Sequence, residues 1–475
     1  MQSLSTITIL RESIASGLLR KALKLALPIA AGYLVVVAGL LVELYFVSNA
    51  HLGADAIGAL GLASTLSLVL VLSFHAIEIA TQAIAARRYG EGDPLAAGKT
   101  LDNALLVSFG LGIPLTLILY LLGDRVFASS KDPNVTRLAL EYFRWRLPSV
   151  PLMIGSLAVI GFFNAVGKPA IPMAVFAVIL TANGLLDAVL IKGAFGIPAM
   201  GMRGAGLAQT ISAGAGFLVF LAILLLPKHR QKYRPLHFLA HVDRAVMGPL
   251  MKLSGPVFVQ QFLGNFGMYV FLLINSYVPD DGVSLSASTL ARYIGYITYL
   301  PSLGFGIAAA TMVGQALGAK DARRAYAGGF LCWLLGAIFM VSMGAVYIIF
   351  RNPLVSIFIQ HVASTEGAAT GAASHPELLR EVASSLLVLV GAYQIFESVN
   401  TIIGKALQGA GATLFVMIVS VAMQWGVFIP LAYFLAIVMN LGAFGAVLAL
   451  AIQLAIIALI FIFKYRAGGW MKVKL

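Results

Sequence analysis

Apolar runs about as long as a bilayer is thick follow one another along this chain, separated by short polar links. A membrane-crossing helix needs about 20 predominantly apolar residues. Runs that satisfy this fall at 25–47, 57–86, 101–123, 138–163, 170–192 and 201–226, and again at 248–278, 286–316, 326–350, 378–403, 410–437 and 440–463. The pattern predicts twelve helices in two sets of six, and therefore an all-α polytopic membrane protein. The polar remainder divides into an amphipathic segment over 1–24, a basic link over 227–247 and a short tail over 464–475, leaving an N-terminal lobe over 25–226 and a C-terminal lobe over 248–463.

The two sets also resemble each other. Lys24-Leu-Ala-Leu-Pro28 returns as Lys252-Leu-Ser-Gly-Pro256 and Gly90-Glu-Gly-Asp93 as Gly318-Ala-Lys-Asp321, both 228 residues on. Further along, Gly167 and Met173 match Gly411 and Met417 at an offset of 244, and Gly204-Ala-Gly-Leu-Ala208 matches Gly445-Ala-Val-Leu-Ala449 at 241. The offset widens where the second half carries a Gly/Ala/Ser-rich stretch over 363–374, which reads as a flexible spacer. An even number of helices per half gives both halves one orientation, related by a pseudo-two-fold along the membrane normal. Secondary transporters are built this way, with the substrate path at the repeat interface.

Composition removes the soluble alternatives: 60% of residues are apolar, 11% are charged and mean hydropathy is +0.94. The net charge of +13 could suggest nucleic acid, but its distribution argues for topology instead. With the N-terminus inside, 22 of the 32 lysines and arginines fall on the inner side, the densest group being Lys228, Arg230, Lys232, Arg234 and Arg244 in the link between halves. Both termini are then cytoplasmic, and no nucleic-acid partner is implied. The first 24 residues lack the apolar core and cleavage site of a signal peptide, so the first helix is its own insertion signal. A single cysteine, Cys332, excludes an internal disulfide and a cysteine-based metal site.

An ionisable group in mid-bilayer costs at least about 2.5–3.5 kcal/mol, so each one asks for a reason. Glu43, Glu78, Asp187 and Glu397 fall within the expected spans. Asn183 and Asp187 are four apart and share a helix face. With Glu43 from another helix they could form a proton relay, bind a hard cation such as Na⁺ through oxygens, or make a structural polar knot. Gln394 and Glu397 are three apart beside Tyr393 and form a second polar point, near which Gln260 and Gln261 are further candidates. His75 and Glu78, three apart, could share a proton, and neither they nor any other grouping has the spacing of a metal hydrolase. Tyr33, Tyr142, Phe258, Phe262, Met268, Tyr293 and Tyr393 could receive a hydrophobic cation on their faces. Prolines at 28, 148, 151, 172, 256, 301 and 430 permit kinks.

These segments resemble the MATE (multidrug and toxic compound extrusion) transporters over essentially the whole chain. The resemblance rests on the order and spacing of Ala-Leu-Pro28, Arg88-Tyr-Gly-Glu-Gly-Asp93, Gly161-Phe-Phe-Asn-Ala-Val-Gly-Lys-Pro-Ala-Ile-Pro-Met173, Asn183-Gly-Leu-Leu-Asp187, Gly201-Met-Arg-Gly-Ala-Gly-Leu-Ala208, Val313-Gly-Gln-Ala-Leu-Gly-Ala-Lys-Asp321 and Leu407-Gln-Gly-Ala-Gly-Ala-Thr413. It implies a monomeric antiporter of the bacterial inner membrane that exports organic, often cationic and aromatic, compounds by alternating access, against inward flow of H⁺ or Na⁺ and with no other cofactor. It also implies that Glu43 stands for the family's helix-1 acid, Asn183 and Asp187 for its helix-5 pair and Glu397 for a helix-10 acid of one branch. That branch's helix-7 acid is replaced here by Gly264, with Gln260 and Gln261 nearby. A lipid-linked saccharide flippase of the same superfamily is the alternative, and a membrane-embedded enzyme is disfavoured because no nucleophile, base or metal constellation is visible.

Overall fold

The computed structural model describes residues 17–48, 54–127, 133–194, 196–237, 242–280, 282–357 and 376–473. The Gly/Ala/Ser stretch at 363–374 and most of the amphipathic 1–24 segment lie outside the described residues. The described residues contain helices and no strands. In order they are α1 (Leu18–Ser48), α2 (Ala54–Gly90), α3 (Pro94–Phe127), α4 (Pro133–Arg146), α5 (Ser149–Ala165), α6 (Ala170–Leu190), α7 (Met202–Leu225), α8 (Pro227–Tyr233), α9 (Arg244–Ser276), α10 (Val283–Gly318), α11 (Ala322–Ile349), α12 (Pro376–Ser398), α13 (Thr413–Met423) and α14 (Gly442–Ala467).

Nine spans among the described residues are long and apolar enough to cross a membrane, and α4 with α5 makes a tenth. Helices α1 and α2, of 31 and 37 residues, occupy the first two expected places. The fourth expected span, 138–163, is corrected in form: it is two helices meeting at 51°. The break falls at Leu147-Pro148, where proline supplies no backbone N–H to continue the ladder. The tenth and eleventh spans also depart from plain α-helix. Helix α12 runs into a π-helical turn at Val399–Ile403, and α13 continues through π-helical turns at Gln424–Phe428 and Phe434–Val438.

The sequence repeat is a repeat of backbone geometry. Gly92 and Lys320, 228 residues apart, both adopt the left-handed conformation, with φ of 82° and 59°. Gly167 and Gly411 do so at 76° and 93°, and Gly201 and Gly442 share a positive φ of 55°. Each pair ends or begins corresponding helices. In the first turn Asp93 caps α3, its Oδ1 accepting from Ala96 N at 2.9 Å, and Pro94 takes the first helical position, where no donor is needed. The two copies of this turn also touch. A Cβ on Gly90 would lie 2.0 Å from the Gln315 carbonyl oxygen, and one on Gly318 would lie 2.0 Å from that of Arg87.

The described residues gather into two compact units. One holds 31–258 with 314–321; the other holds 259–313 and 322–473 together with the described residues before Ala31. The boundaries therefore fall inside α1, α9 and α10 rather than in the basic link. Each unit has its own core. In the first, Tyr142, Phe143, Phe162, Phe163 and Phe220 are buried among the alanines of α2 and α3. In the second, Phe271, Leu386, Leu387 and Phe428 pack with Tyr347, whose hydroxyl donates to the Ile294 carbonyl at 2.8 Å.

Candidate functional site

Within the first unit, small residues bring α1 against α6. A Cβ on Gly184 would stand 3.3 Å from Val42, and one on Gly39 would stand 3.4 Å from Leu180. This approach sets Glu43 of α1 and Asp187 of α6 close enough for their charges to interact. Both are almost wholly removed from the surface, at 2% and 0% exposure. Asn183, one turn before Asp187, is equally buried.

The two acids are served very differently. Tyr142 donates its hydroxyl to Glu43 Oε1 at 2.8 Å, and Gln209 donates Nε2 to Oε2 at 2.9 Å. Arg146, which can only donate, bonds the Tyr142 hydroxyl oxygen, so the tyrosine proton is directed at the carboxylate. Both Glu43 oxygens therefore accept a hydrogen bond. Asp187 has no such support: among the described residues neither carboxylate oxygen has a hydrogen-bond partner, and nor does Asn183 Nδ2. Buried polar atoms are rarely left in this condition.

Gln209 and Arg146 were not legible as site residues. For Arg146 the i,i+4 spacing from Tyr142 is the signal that could have placed it. Tyr142, expected as a face for a hydrophobic cation, is instead fully buried with the Arg146 guanidinium 5.6 Å from its ring centre.

In the second unit, Glu397 is half-buried and accepts from Thr401 Oγ1 one turn on, at 3.0 Å. Tyr299 of α10 and Tyr393 of α12 both lie within electrostatic reach of its carboxylate. Tyr299 is the end of a ladder with Tyr296 and Tyr293 at i,i+3 spacing, ring centres 6.3 and 6.4 Å apart. The Arg292 guanidinium lies 5.9 Å from the Tyr293 and Tyr296 rings. Gln394 turns towards α11, against Gly344, and its Oε1 is buried without a partner among the described residues. Gln260 is held by other amides and hydroxyls, donating to Ser420 at 3.2 Å and accepting from Gln408 at 3.0 Å. Gln261 sits half-buried beside it on α9.

His75 and Glu78 do form a pair. His75 Nδ1 lies 2.8 Å from Glu78 Oε2, and Asn164 of α5 donates to Oε1 at 3.4 Å. Gly161 permits this meeting of α2 and α5, because a Cβ there would stand 2.4 Å from the Glu78 carbonyl oxygen. Among the described residues no three His, Cys, Asp or Glu side chains cluster closely enough to hold a metal ion by themselves.

Comparison with known proteins agrees with this architecture. The MatE family model matches residues 28–189 and 256–434, each match opening at one of the repeated prolines. The "Probable multidrug resistance protein NorM" of Bradyrhizobium diazoefficiens is 28% identical over 446 residues, covering 94% of this chain and 92% of that protein. The "Multidrug resistance protein NorM" of Burkholderia vietnamiensis is 26% identical over 417 residues, 87% of each chain. Among solved structures, a MOP superfamily transporter from Pyrococcus furiosus superposes with a TM-score of 0.85 at 18% identity, over 96% of this chain and 98% of that one. A MATE in the straight conformation gives 0.83 at 19% identity over the same shares. With both repeat halves matched by one family model, the chain belongs to the MatE family and is a multi-pass membrane transporter, not an enzyme.

Proposed function

We propose that this protein is a cation-coupled antiporter that exports organic, cationic and aromatic compounds by alternating access, with both termini on the cytoplasmic side of a bacterial inner membrane. The observation that carries the coupling half of this reading is Asp187, whose two buried oxygens have no donor among the described residues while Glu43 beside it has two. A buried carboxylate without donors requires a proton or a cation to be stable. Na⁺ would find oxygen ligands on Asp187, Glu43 and the Asn183 amide; a proton needs Asp187 alone. The relatives named for multidrug resistance support the exported class, as does Glu397, a half-buried carboxylate flanked by Tyr299 and Tyr393 and suited to an organic cation. His75 and Glu78 are read as a local proton-sharing pair within the same unit. No cofactor other than the coupling ion enters this reading, and a monomer suffices for it.

Antiport requires that ion and substrate oppose each other, and linkage makes the opposition reciprocal. Binding of a fluorescent lipophilic cation to the purified protein should therefore weaken as either proton or Na⁺ concentration rises, and Asp187→Asn should remove that dependence. Binding unaffected by both ions in the unsubstituted protein would contradict the proposal.

A further inference from the structure

We propose that Lys168 and Lys232, gathered around Tyr233 and Tyr89, form the core of a binding site for the phosphate of an anionic lipid headgroup. Nothing in the transport reading requires such a site.

The site is built by two chain exits. Helix α5 ends in a left-handed Gly167, and Lys168 N closes the turn onto the Phe163 carbonyl at 2.8 Å, which carries Lys168 towards α8. There His229, 6% exposed, fixes the chemistry. Its Nδ1 lies 2.8 Å from the Ile223 carbonyl oxygen. A carbonyl only accepts, so Nδ1 carries the proton and Nε2 carries a lone pair. Lys168 Nζ donates to that lone pair at 2.8 Å. The imidazole thus orients the ammonium and, carrying no negative charge, does not cancel it.

Lys232 closes in on the same spot, and the charge of Lys228 also acts on Lys168. Lys168 and Lys232 Nζ lie 5.6 and 5.5 Å from the centre of the Tyr233 ring. Lys232 also lies 5.0 Å from the Tyr89 ring and donates to its hydroxyl at 3.2 Å. Among the described residues no carboxylate pairs with any of the three lysines, and nearby Glu91 is taken by Arg88 at 3.1 Å. Burial first, then the charges of Lys228 and Lys232, hold the Lys168 ammonium below the usual lysine range, as expected of a cation that lacks its counter-ion. An anion between Lys168 and Lys232 would reverse that penalty.

The surroundings point to a lipid as its source. Leu225 and Leu226, both 51% exposed, immediately precede α8, so the apolar end of α7 runs directly into the basic group. The half-buried Tyr89 beside Lys232 at the end of α2 fits headgroup depth, and basic pockets between helix ends recognise anionic headgroups.

The test uses the full-length protein in micelles or phosphatidylcholine nanodiscs, titrated with phosphatidylglycerol and read by native mass spectrometry. Lys168→Gln and, separately, Lys232→Gln should each weaken retention of phosphatidylglycerol about fivefold, the worth of one lysine at an anionic surface. Lys168→Arg should keep it. Arg230→Gln, which removes an exposed charge on the same short helix outside the cluster, should change it clearly less than either lysine variant. Lys232 is exposed, so its variant remains informative even if Lys168→Gln does not fold. Equal losses for Arg230→Gln and Lys168→Gln would reduce the effect to diffuse attraction and overturn the site. Displacement of the lipid by millimolar inorganic phosphate would overturn the assignment to a headgroup. Unchanged retention in both lysine variants would overturn the proposal outright.

Discussion

Replacing Tyr142 with phenylalanine removes one oxygen from a fully buried side chain and leaves the ring packing intact. No cavity term arises, so the change isolates the hydrogen bond to Glu43 Oε1 at 2.8 Å. Hydrogen bonds between helices in membranes are worth about 0.6 kcal/mol on average and up to about 1.7 kcal/mol. A charged acceptor belongs at the upper end of that range. Arg146 also loses its acceptor but keeps its place by the Tyr142 ring. Tyr142→Phe should therefore destabilise the protein by about 1.5 kcal/mol. Reversible denaturant unfolding in micelles measures this, and a double-mutant cycle with Glu43→Gln should return about 1 kcal/mol of coupling between the two positions. Additive effects of the two substitutions, or a loss under about 0.3 kcal/mol for Tyr142→Phe, would refute the network through which Glu43 is held.

Asp187→Asn should behave oppositely: the neutral amide removes a buried charge that has no donor, so the unfolding midpoint in micelles should stay equal or rise even as ion binding is lost. A marked drop in that midpoint would mean the carboxylate is a structural acceptor. Gly90→Ala places a methyl group 2.0 Å from the Gln315 carbonyl oxygen and should cut the yield of monodisperse protein sharply, visible by size-exclusion chromatography. Lys320→Gly relieves a left-handed residue at φ 59° and should stabilise by about 1 kcal/mol, whereas Gly92→Lys, at the corresponding place, should destabilise by a similar amount in the same unfolding assay.

How much of this was legible in the sequence depends on the range of the signal. Helix existence follows from local hydropathy, so all the expected spans have helical counterparts, and the repeat offsets located Gly92 and Lys320, Gly167 and Gly411 at corresponding turns. The bend at Pro148 was open to proline chemistry but its size was not. The π-helical turns after α12 and α13 left no sequence mark, because a one-residue change in backbone pairing does not alter hydropathy. Asn183 and Asp187 were found because they share one helix. The donors to Glu43 were not, since Tyr142 is 99 residues away and Gln209 166 residues away, and which face each helix turns towards the others is set by packing. The same limit applies to Gln394: its spacing from Glu397 was legible, but its packing against Gly344, where the missing side chain makes room for it, was not.

The most direct test of coupled export is efflux of a fluorescent lipophilic cation from proteoliposomes, with a pH gradient and a Na⁺ gradient imposed separately and Asp187→Asn and Glu397→Gln run beside the unsubstituted protein. One gradient should accelerate efflux, Asp187→Asn should abolish the acceleration, and Glu397→Gln should lower the apparent affinity for the dye. Efflux indifferent to both gradients, or equally driven in Asp187→Asn, would contradict ion-coupled export through this site.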